Sequence, residues 1–368
     1  MKRPKTTLLG NVLLLVIIVA LFIILGEITI RVMGIDYFTD KTHQFDDKLG
    51  VIPIADISTT HQLLSGEAIT RWTTNSKGFR TSEYQQENQN KVIVVFGDSF
   101  VEGYGVNNNE MFTHRLDQQL KDISVYPFGV STFGTAQSYL MMENIIPEYK
   151  PEIVVLALFL GNDIWDNSLT LSDESKPYYV DKGFFYYGNV KPQETTIIKT
   201  LQFKIGKYSK FAGFVAHNLR KIMLTDTGNG NSFDKRYLIY NKTYDPEWQE
   251  AMNLTKTLLL KTKSLTSSHN TDLHILIIPA KETVDKGYQE KAIKQMPELA
   301  NYNLDFEKPH RKIIQFLEEN NIAYIDPLQS FKEGKERDKL YYPIDGHWTS
   351  KGHEVAALHI QGYLEKNV

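Results

Sequence analysis

The most constraining feature of the 368-residue sequence is an alternation of short apolar runs with segments of helical periodicity, beginning at Lys91. The run Val92–Phe96 is continuously apolar and rich in β-branched residues, which is typical of a strand buried on both faces of a sheet. The later runs predicted as strands are Ser124–Phe128, Ile153–Leu160, Leu273–Ile278 and Ala323–Ile325. The predicted helices are Glu110–Lys121, Thr135–Tyr149, Pro246–Ser264, Asp305–Glu319 and Lys351–Leu364. This alternation predicts βαβ units and an α/β fold with a mostly parallel sheet.

The N-terminal residues predict a membrane anchor. Lys2, Arg3 and Lys5 precede an apolar run from Leu8 to Gly26. About 20 helical residues span the hydrocarbon core of a bilayer, which is ~30 Å thick. The basic residues predict a single-pass protein with a cytoplasmic N-terminus and an extracytoplasmic domain. A cleaved signal peptide is the alternative, but no small-residue cleavage motif follows the run.

These patterns predict three parts of the chain. Residues 1–33 hold the cytoplasmic N-terminus and the transmembrane anchor, and residues 34–90 form a polar juxtamembrane segment that packs on the domain. Residues 91–368 form the domain itself, in which residues 165–245 break the alternation and predict an insertion.

Composition limits the classes of function. A formal net charge of −3 gives no electrostatic basis for binding nucleic acid. The absence of cysteine excludes disulfides, thiolate metal sites and cysteine nucleophiles. Histidines and carboxylates do not cluster at ligand spacing and no phosphate-binding glycine loop occurs, so neither a metal nor a cofactor is predicted.

Residues suited to nucleophilic catalysis stand after the first predicted strand and before the last predicted helix. Ser99 follows the strand in Gly97-Asp98-Ser99, at the edge where open α/β sheets bind ligands. Asp345-Gly346-His347 supplies a base for the serine and a carboxylate that fixes the imidazole tautomer. A helix N-cap is the alternative role for Ser99. His353, the nearest competing histidine, is expected to cap or pack at the start of the last helix.

A third block, Gly161-Asn162-Asp163, follows the third predicted strand. The Asn162 amide suits a developing oxyanion, although Gly-Asn-Asp is also ordinary turn chemistry. With the three blocks in this order, residues 91–365 resemble the SGNH/GDSL hydrolase family. The resemblance implies a flavodoxin-like three-layer α/β/α sandwich with Ser99, His347 and Asp345 as a catalytic triad.

The resemblance also implies an oxyanion hole made from the Ser99 N–H, a glycine N–H and the Asn162 side chain. In this sequence the position of that glycine holds Thr132, whose backbone N–H is expected to replace it. Asp98, Gly134 and Asp163 are expected to contact the substrate.

Two details resemble membrane-associated branches of the family that handle cell-envelope polysaccharide. A single residue separates Asp345 from His347, and the segment Asn75-Ser76-Lys77-Gly78-Phe79-Arg80 precedes the serine strand. The resemblance implies a serine esterase that removes an O-acyl group, in particular O-acetyl, from a carbohydrate. The expected partners are the membrane and an acylated small molecule or polysaccharide. A polysaccharide O-acetyltransferase with the same triad is the alternative, and a catalytically silent sugar-binding module is a third hypothesis.

Overall fold

The computed structural model describes residues 8–33, 41–63, 65–85, 91–172, 174–180, 183–192, 208–226, 233–334 and 336–367. The N-terminal part contains α1 (Leu8–Val32) and two antiparallel hairpins, β1 (His43–Asp46) with β2 (Gly50–Pro53) and β3 (Ser58–Gln62) with β4 (Ile69–Thr73). The polar segment predicted over residues 34–90 therefore has regular structure of its own, although residues 34–40, 64 and 86–90 lie outside the described residues.

Five parallel strands form the central sheet. They are β5 (Lys91–Gly97), β6 (Ile123–Gly129), β7 (Ile153–Phe159), β10 (Asp272–Ile278) and β11 (Ala323–Ile325), and a separate hairpin in the insertion pairs β8 (Tyr178–Tyr179) with β9 (Phe185–Tyr186). The order across the sheet is β11-β10-β7-β5-β6. Numbered along the chain within this sheet, the order is 2-1-3-4-5, which is the flavodoxin-like arrangement. The predicted parallel sheet and its topology are confirmed.

Helices lie on both faces of the sheet. After α1, the helices of the described residues are α2 (Ser99–Glu102), α3 (Phe112–Gln119), α4 (Thr135–Tyr149), α5 (Asp163–Asp166), α6 (Leu169–Ser172), α7 (Lys210–Asp226), α8 (Pro246–Ser268), α9 (Lys281–Val284), α10 (Lys286–Gln295), α11 (Lys308–Glu319), α12 (Leu328–Glu333) and α13 (Ser350–Asn367). Of these, α7 packs against α1 and not against the sheet. Short 3-10 turns occur at Asn108–Glu110, Lys235–Tyr240, Pro297–Asn301 and Arg337–Lys339. The short helices α2, α5, α6, α9, α10 and α12 were not predicted from the sequence, nor was the 17-residue α7 in the insertion. Of these, α9 and α10 bury few apolar side chains.

The two apolar cores follow from the pleat of the strands. Val94 and Phe96 of β5 pack with α4, α8 and α11, whereas Ile93 and Val95 pack with α3, α12 and α13. Alternate residues of one strand therefore enter opposite cores, as expected for a strand with both faces buried. The domain is a three-layer α/β/α sandwich, as the sequence predicted.

Helix α1 is long and apolar enough to cross a membrane. Its most apolar window, within Gly10–Val32, has a mean hydropathy of 3.0, and 6% of that window is buried. Near its end, the Glu27 carboxylate accepts hydrogen bonds from the Ser209 hydroxyl at 2.9 Å and the Phe211 N–H at 3.0 Å. The Phe211 ring lies against Phe22, with the ring centroids 5.6 Å apart. These contacts join the end of α1 to the start of α7.

Candidate active site

Ser99 is the first residue of α2, and only Asp98 separates it from the end of β5 at Gly97. Asp98 occupies the N-cap, because its side chain accepts a hydrogen bond from the Phe100 N–H at 2.9 Å. Gly97 precedes this turn, and a Cβ built there would approach the side chain of Val101 to 2.6 Å. The Ser99 hydroxyl is thus not used for capping, and the turn directs it toward the C-terminal end of the sheet.

The structure brings Ser99, His347 and Asp345 into a continuous chain of hydrogen bonds. The Ser99 hydroxyl lies 2.6 Å from His347 Nε2, and His347 Nδ1 lies 2.5 Å from Asp345 Oδ1. These are the contacts by which a base accepts the serine proton and a carboxylate orients that base. His353, by contrast, is buried on α13, where its Nδ1 accepts the Phe112 N–H at 3.2 Å.

The loop that carries Asp345 and His347 explains why one residue between them suffices. Gly346 adopts φ +89°, a left-handed conformation that favours glycine. Asp345 Oδ1 then accepts the His347 backbone N–H at 3.2 Å as well as the ring N–H. Burial opposes ionisation of Asp345, but its hydrogen bonds from His347 and the nearby Lys281 ammonium hold its pKa below the ordinary value.

Aromatic rings fix the imidazole of His347. The Phe100 ring lies on one side at a centroid distance of 4.9 Å, and the Tyr104 ring packs against it at 4.8 Å. Tyr104 in turn contacts His61 of β3 at 4.9 Å, and burial lowers the pKa of His61 to about 4. Tyr104 lies in Gly103-Tyr104-Gly105 directly after α2, and no role in the site was predicted for it from the sequence.

Glu67 is a residue of this site that sequence reasoning missed. It lies between β3 and β4, and its two carboxylate oxygens accept the backbone N–H groups of Ile344 at 2.9 Å and Asp345 at 2.8 Å. A side chain from the N-terminal hairpins therefore holds the loop of the triad. The sequence offered no signal for it, because the partners are separated by 277 positions or more.

The segment Asn75–Arg80 also supports the site. The buried guanidinium of Arg80 donates hydrogen bonds to the carbonyl oxygens of Glu102 at 3.1 Å, Gly103 at 2.7 Å and Val106 at 2.8 Å. These carbonyls belong to the end of α2 and the turn after it. The segment singled out by the resemblance thus anchors the N-terminal hairpins to the chain that follows the serine.

Asn162 and Thr132 flank the serine turn on neighbouring strands. Asn162 follows β7 and occupies the N-cap of α5, and its side-chain Oδ1 is buried without a hydrogen-bond partner among the described residues. Thr132 follows β6 and has φ +75°. Within the part of the chain that the structure describes, the backbone N–H groups of Ser99 and Thr132 donate to no acceptor. Both remain available to a ligand.

The three residues expected to contact the substrate have hydrogen-bond partners within the chain. Asp98 is 1% exposed, and burial raises its pKa to about 6. Asp163 is 3% exposed and accepts the Phe159 N–H at 2.6 Å. The Gly134 N–H donates to Gln137 Oε1 at 2.8 Å. The Asp98 and Asp163 side chains are therefore buried beside the serine turn and the end of β7, and contact of the three residues with a substrate stays a prediction.

No group of three or more histidine, aspartate or glutamate residues in the described ranges is arranged to hold a metal ion.

Comparisons with known proteins bear on this arrangement. The family described as SGNH hydrolase-like domain, acetyltransferase AlgX, matches residues 237–367. This range includes Asp345 and His347 but not Ser99. No match was found among curated proteins.

Solved structures similar to the chain include proteins from three bacteria. A lipolytic protein of the G-D-S-L family from Veillonella parvula shares 11% identity over 75% of this chain and 99% of its own, with a TM-score of 0.40. A GDSL-like lipase from Bacteroides thetaiotaomicron shares 11% sequence identity over 78% of this chain and 93% of its own, with a TM-score of 0.39. A lipase/acylhydrolase from Enterococcus faecalis shares 13% sequence identity over 75% of this chain and 96% of its own, with a TM-score of 0.36. The similarity of residues 237–367 to the SGNH hydrolase-like family model agrees with the resemblance stated for the last of the three sequence blocks.

Proposed function

We propose that the protein is a serine-dependent acyl-ester enzyme that removes an O-acyl group, in particular O-acetyl, from a carbohydrate. The observation that carries the proposal is the unbroken contact from the Ser99 hydroxyl through His347 to Asp345. A serine hydroxyl is a weak nucleophile unless a base lies within hydrogen-bond reach. A module that only binds sugar has no need of this arrangement.

The chemistry follows from the geometry. Ser99 Oγ attacks the ester carbonyl while its proton passes to His347 Nε2, and Asp345 stabilises the imidazolium that forms. The N–H groups of Ser99 and Thr132 and the Asn162 amide are the donors for the oxyanion. The imidazolium then protonates the departing sugar oxygen. Water attacks the acyl-enzyme, with His347 as base, and releases the acid and free Ser99.

Polysaccharide O-acetyl transfer is the second candidate function. It is favoured by the match to the family described for the acetyltransferase AlgX. The same triad serves, but a sugar hydroxyl replaces water as the acceptor of the acyl group. An assay with an acetylated sugar and an unacetylated acceptor sugar together separates the two, because hydrolysis gives free acetate and transfer gives a newly acetylated acceptor.

The location proposed for this chemistry is the outer face of a membrane, with α1 as a single-pass anchor. Support comes from the exposed apolar surface of α1 and from Lys2, Arg3 and Lys5 before it. The Glu27 carboxylate, at the end of the apolar run, is paired with the Arg31 guanidinium at 2.7 Å and accepts a hydrogen bond from the Phe211 N–H at the start of α7. Its negative charge can therefore lie at the membrane surface, because it is paired there.

The absence of cysteine gives a direct test of this orientation. Leu260→Cys, at a 39% exposed position of α8, should react with a membrane-impermeant maleimide on intact cells. Thr6→Cys should react only after permeabilisation. The reverse pattern contradicts the proposed topology, and recovery of a mature chain that begins after residue 26 shows a cleaved signal peptide instead.

A further inference from the structure

The first turn of α7 is capped by a side chain of α1. The first N–H groups of a helix have no partner within the helix itself. The Glu27 carboxylate of α1 accepts two of them, from Lys210 at 3.1 Å and from Phe211 at 3.0 Å. The Ser209 hydroxyl donates to the same carboxylate at 2.9 Å and accepts the next N–H, from Ala212, at 3.0 Å. A negative charge is stabilised at this end of a helix, so the cap fixes the start of α7 on α1.

The Phe211 side chain packs directly on the apolar part of α1. A Cβ built on Gly26 would lie 2.5 Å from the Phe211 ring, so this ring lies against the backbone of α1. The Phe22 ring, whose centroid is 5.6 Å from that of Phe211, is 65% exposed. The medium that covers Phe22 therefore also reaches Phe211.

The contacts with α1 also give the depth of α7 in a bilayer. The Arg31 guanidinium donates to the Tyr208 carbonyl at 3.3 Å, and Tyr208 is 76% exposed, as is typical of tyrosines at a membrane interface. At a rise of 1.5 Å per residue, Gly26 and Phe22 lie about 8 and 14 Å from Arg31 along α1. From Tyr208 to Phe211 the chain thus passes from the level of Arg31 to that of the apolar run. Helices in a membrane interface bury their apolar face by ~5–10 Å, which matches this depth.

The exposed residues that follow on α7 are apolar. Val215 is 38% exposed and Leu219 is 50% exposed, and they lie one helical turn apart on the same face. Ala216, beside them, is exposed as well. Single exposed apolar residues need no explanation, but these continue the apolar surface of α1 beyond Phe211. Since α7 packs against α1 and not against the sheet, this face is open to the same medium as α1.

On the basis of the anchor proposed above, we propose that α7 is a second membrane-contact element, which lies on the outer leaflet of the bilayer. Val215 and Leu219 contact lipid near the headgroup end of the acyl chains, and the cap by Glu27 together with Phe211 holds α7 against α1. The domain is then attached to the membrane through two separate segments of the chain, the one before β1 and the insertion after β7. Two attachments restrict the rotation of the domain about α1, which a single helix leaves free.

The absence of cysteine permits a test with single labelled positions. Leu219→Cys is labelled with the environment-sensitive fluorophore nitrobenzoxadiazole in the full-length protein, which is reconstituted into vesicles of phosphatidylcholine and phosphatidylglycerol. The emission should shift to shorter wavelength than in water. A lipid with a nitroxide near the headgroup end of its acyl chain should quench it at least about twofold more strongly than a lipid with a nitroxide at the chain terminus, because the apolar face of an interfacial helix lies at the shallower depth.

Two further labelled positions are the controls. Leu358→Cys matches Leu219 in exposure, at 53%, but lies on α13 of the domain. Its label should emit as in water and should be quenched by neither lipid. Ile18→Cys, at a 55% exposed position of α1, reports the anchor itself and should be quenched by lipid nitroxides whatever the position of α7.

The role of the cap is tested by Glu27→Ala together with the label at position 219. Quenching by the shallow nitroxide should fall at least about twofold, because loss of a cap weakens the start of a helix. Thr29→Ala is the matched variant on α1, since the Thr29 hydroxyl donates to the Leu25 carbonyl of the same helix at 2.8 Å. It should leave the quenching unchanged, and equal quenching in the Glu27→Ala and Thr29→Ala proteins contradicts the role of the cap.

Each way in which the proposal can fail has its own result. Emission as in water at position 219, with quenching at position 18, overturns the proposal while the anchor stands. A shift to shorter wavelength without quenching by either lipid also overturns it, because α7 is then covered by a partner protein or a second copy of the chain. The absence of quenching at position 18 contradicts the anchor, and the membrane contact of α7 with it. The acyl-ester function is independent of these results, because it is measured by ester hydrolysis.

Discussion

Removal of the Glu67 carboxylate tests whether the N-terminal hairpins are part of the active site. Glu67 accepts two backbone N–H groups of the triad loop, from Ile344 and Asp345. A hydrogen bond to a charged group contributes ~1.5–3 kcal/mol, and the partial exposure of Glu67 places each near the lower end. Glu67→Ala should therefore release about 3 kcal/mol of restraint on the loop that carries Asp345.

The expected effect on catalysis follows from that loosening. A displacement of ~1 Å in a catalytic group costs on the order of a hundredfold in rate, so kcat should fall by tenfold to roughly a hundredfold. KM should barely change, because Glu67 acts on the loop through the backbone N–H groups of Ile344 and Asp345. Glu67→Gln should cost about half as much in free energy, since its single carbonyl oxygen keeps one of the two hydrogen bonds.

Turnover of p-nitrophenyl acetate and thermal unfolding are measured side by side. The matched control is Glu83→Ala, because the Glu83 carboxylate also accepts a backbone N–H, that of Ser76 at 2.7 Å, in the same N-terminal segment. Glu83→Ala should leave kcat unchanged. If Glu67→Ala turns over within about twofold of the natural protein while it remains folded, the positioning role of Glu67 is wrong.

Three further predictions concern the oxyanion donors and the ion pair between His43 and Glu102. Asn162→Ala should lower kcat on the order of a hundredfold at constant KM, whereas a raised KM with unchanged kcat identifies a substrate contact. Thr132→Gly should leave kcat within about twofold and raise the free energy of unfolding by up to ~1 kcal/mol, because glycine adopts the left-handed conformation more easily than threonine. Thr132→Pro should lower kcat severely, because proline lacks the backbone N–H that donates to the oxyanion. Burial lowers the pKa of His43, but the Glu102 carboxylate raises it further, so the net shift is upward. The stabilisation by this ion pair is therefore complete below the pKa of His43 in the unfolded chain, about 6.5, and is lost as the pH rises through its pKa in the folded protein. The loss of melting temperature caused by His43→Gln should thus be larger near pH 6 than near pH 9, and an equal loss contradicts the ion pair.

The layers of the domain were readable from sequence because they depend on local patterns. Val92–Phe96 is apolar without interruption, and a strand of that kind belongs inside a parallel sheet with helices on both faces. The blocks around Ser99 and Asn162 follow two such strands, so their convergence at one edge follows from the topology.

The support of the site was not readable, because it comes from contacts between distant segments. Glu67 reaches the triad loop across 277 positions, and Lys176 reaches Thr132 from an insertion whose sequence has no regular pattern. Nothing in the composition of a polar hairpin or an irregular insertion specifies such a partner. The burial of Asp98 and Asp163 was likewise not readable from their proximity to the blocks.

Activation of Ser99 as a nucleophile by His347 is tested most directly by the reaction of the full-length protein with a fluorophosphonate, followed by mass spectrometry of the labelled peptide. One adduct is expected, on Ser99. It should be absent from Ser99→Ala and form much more slowly in His347→Ala, while both variants remain folded by circular dichroism. Labelling that persists in Ser99→Ala, or a folded natural protein that does not react at all, contradicts the claim.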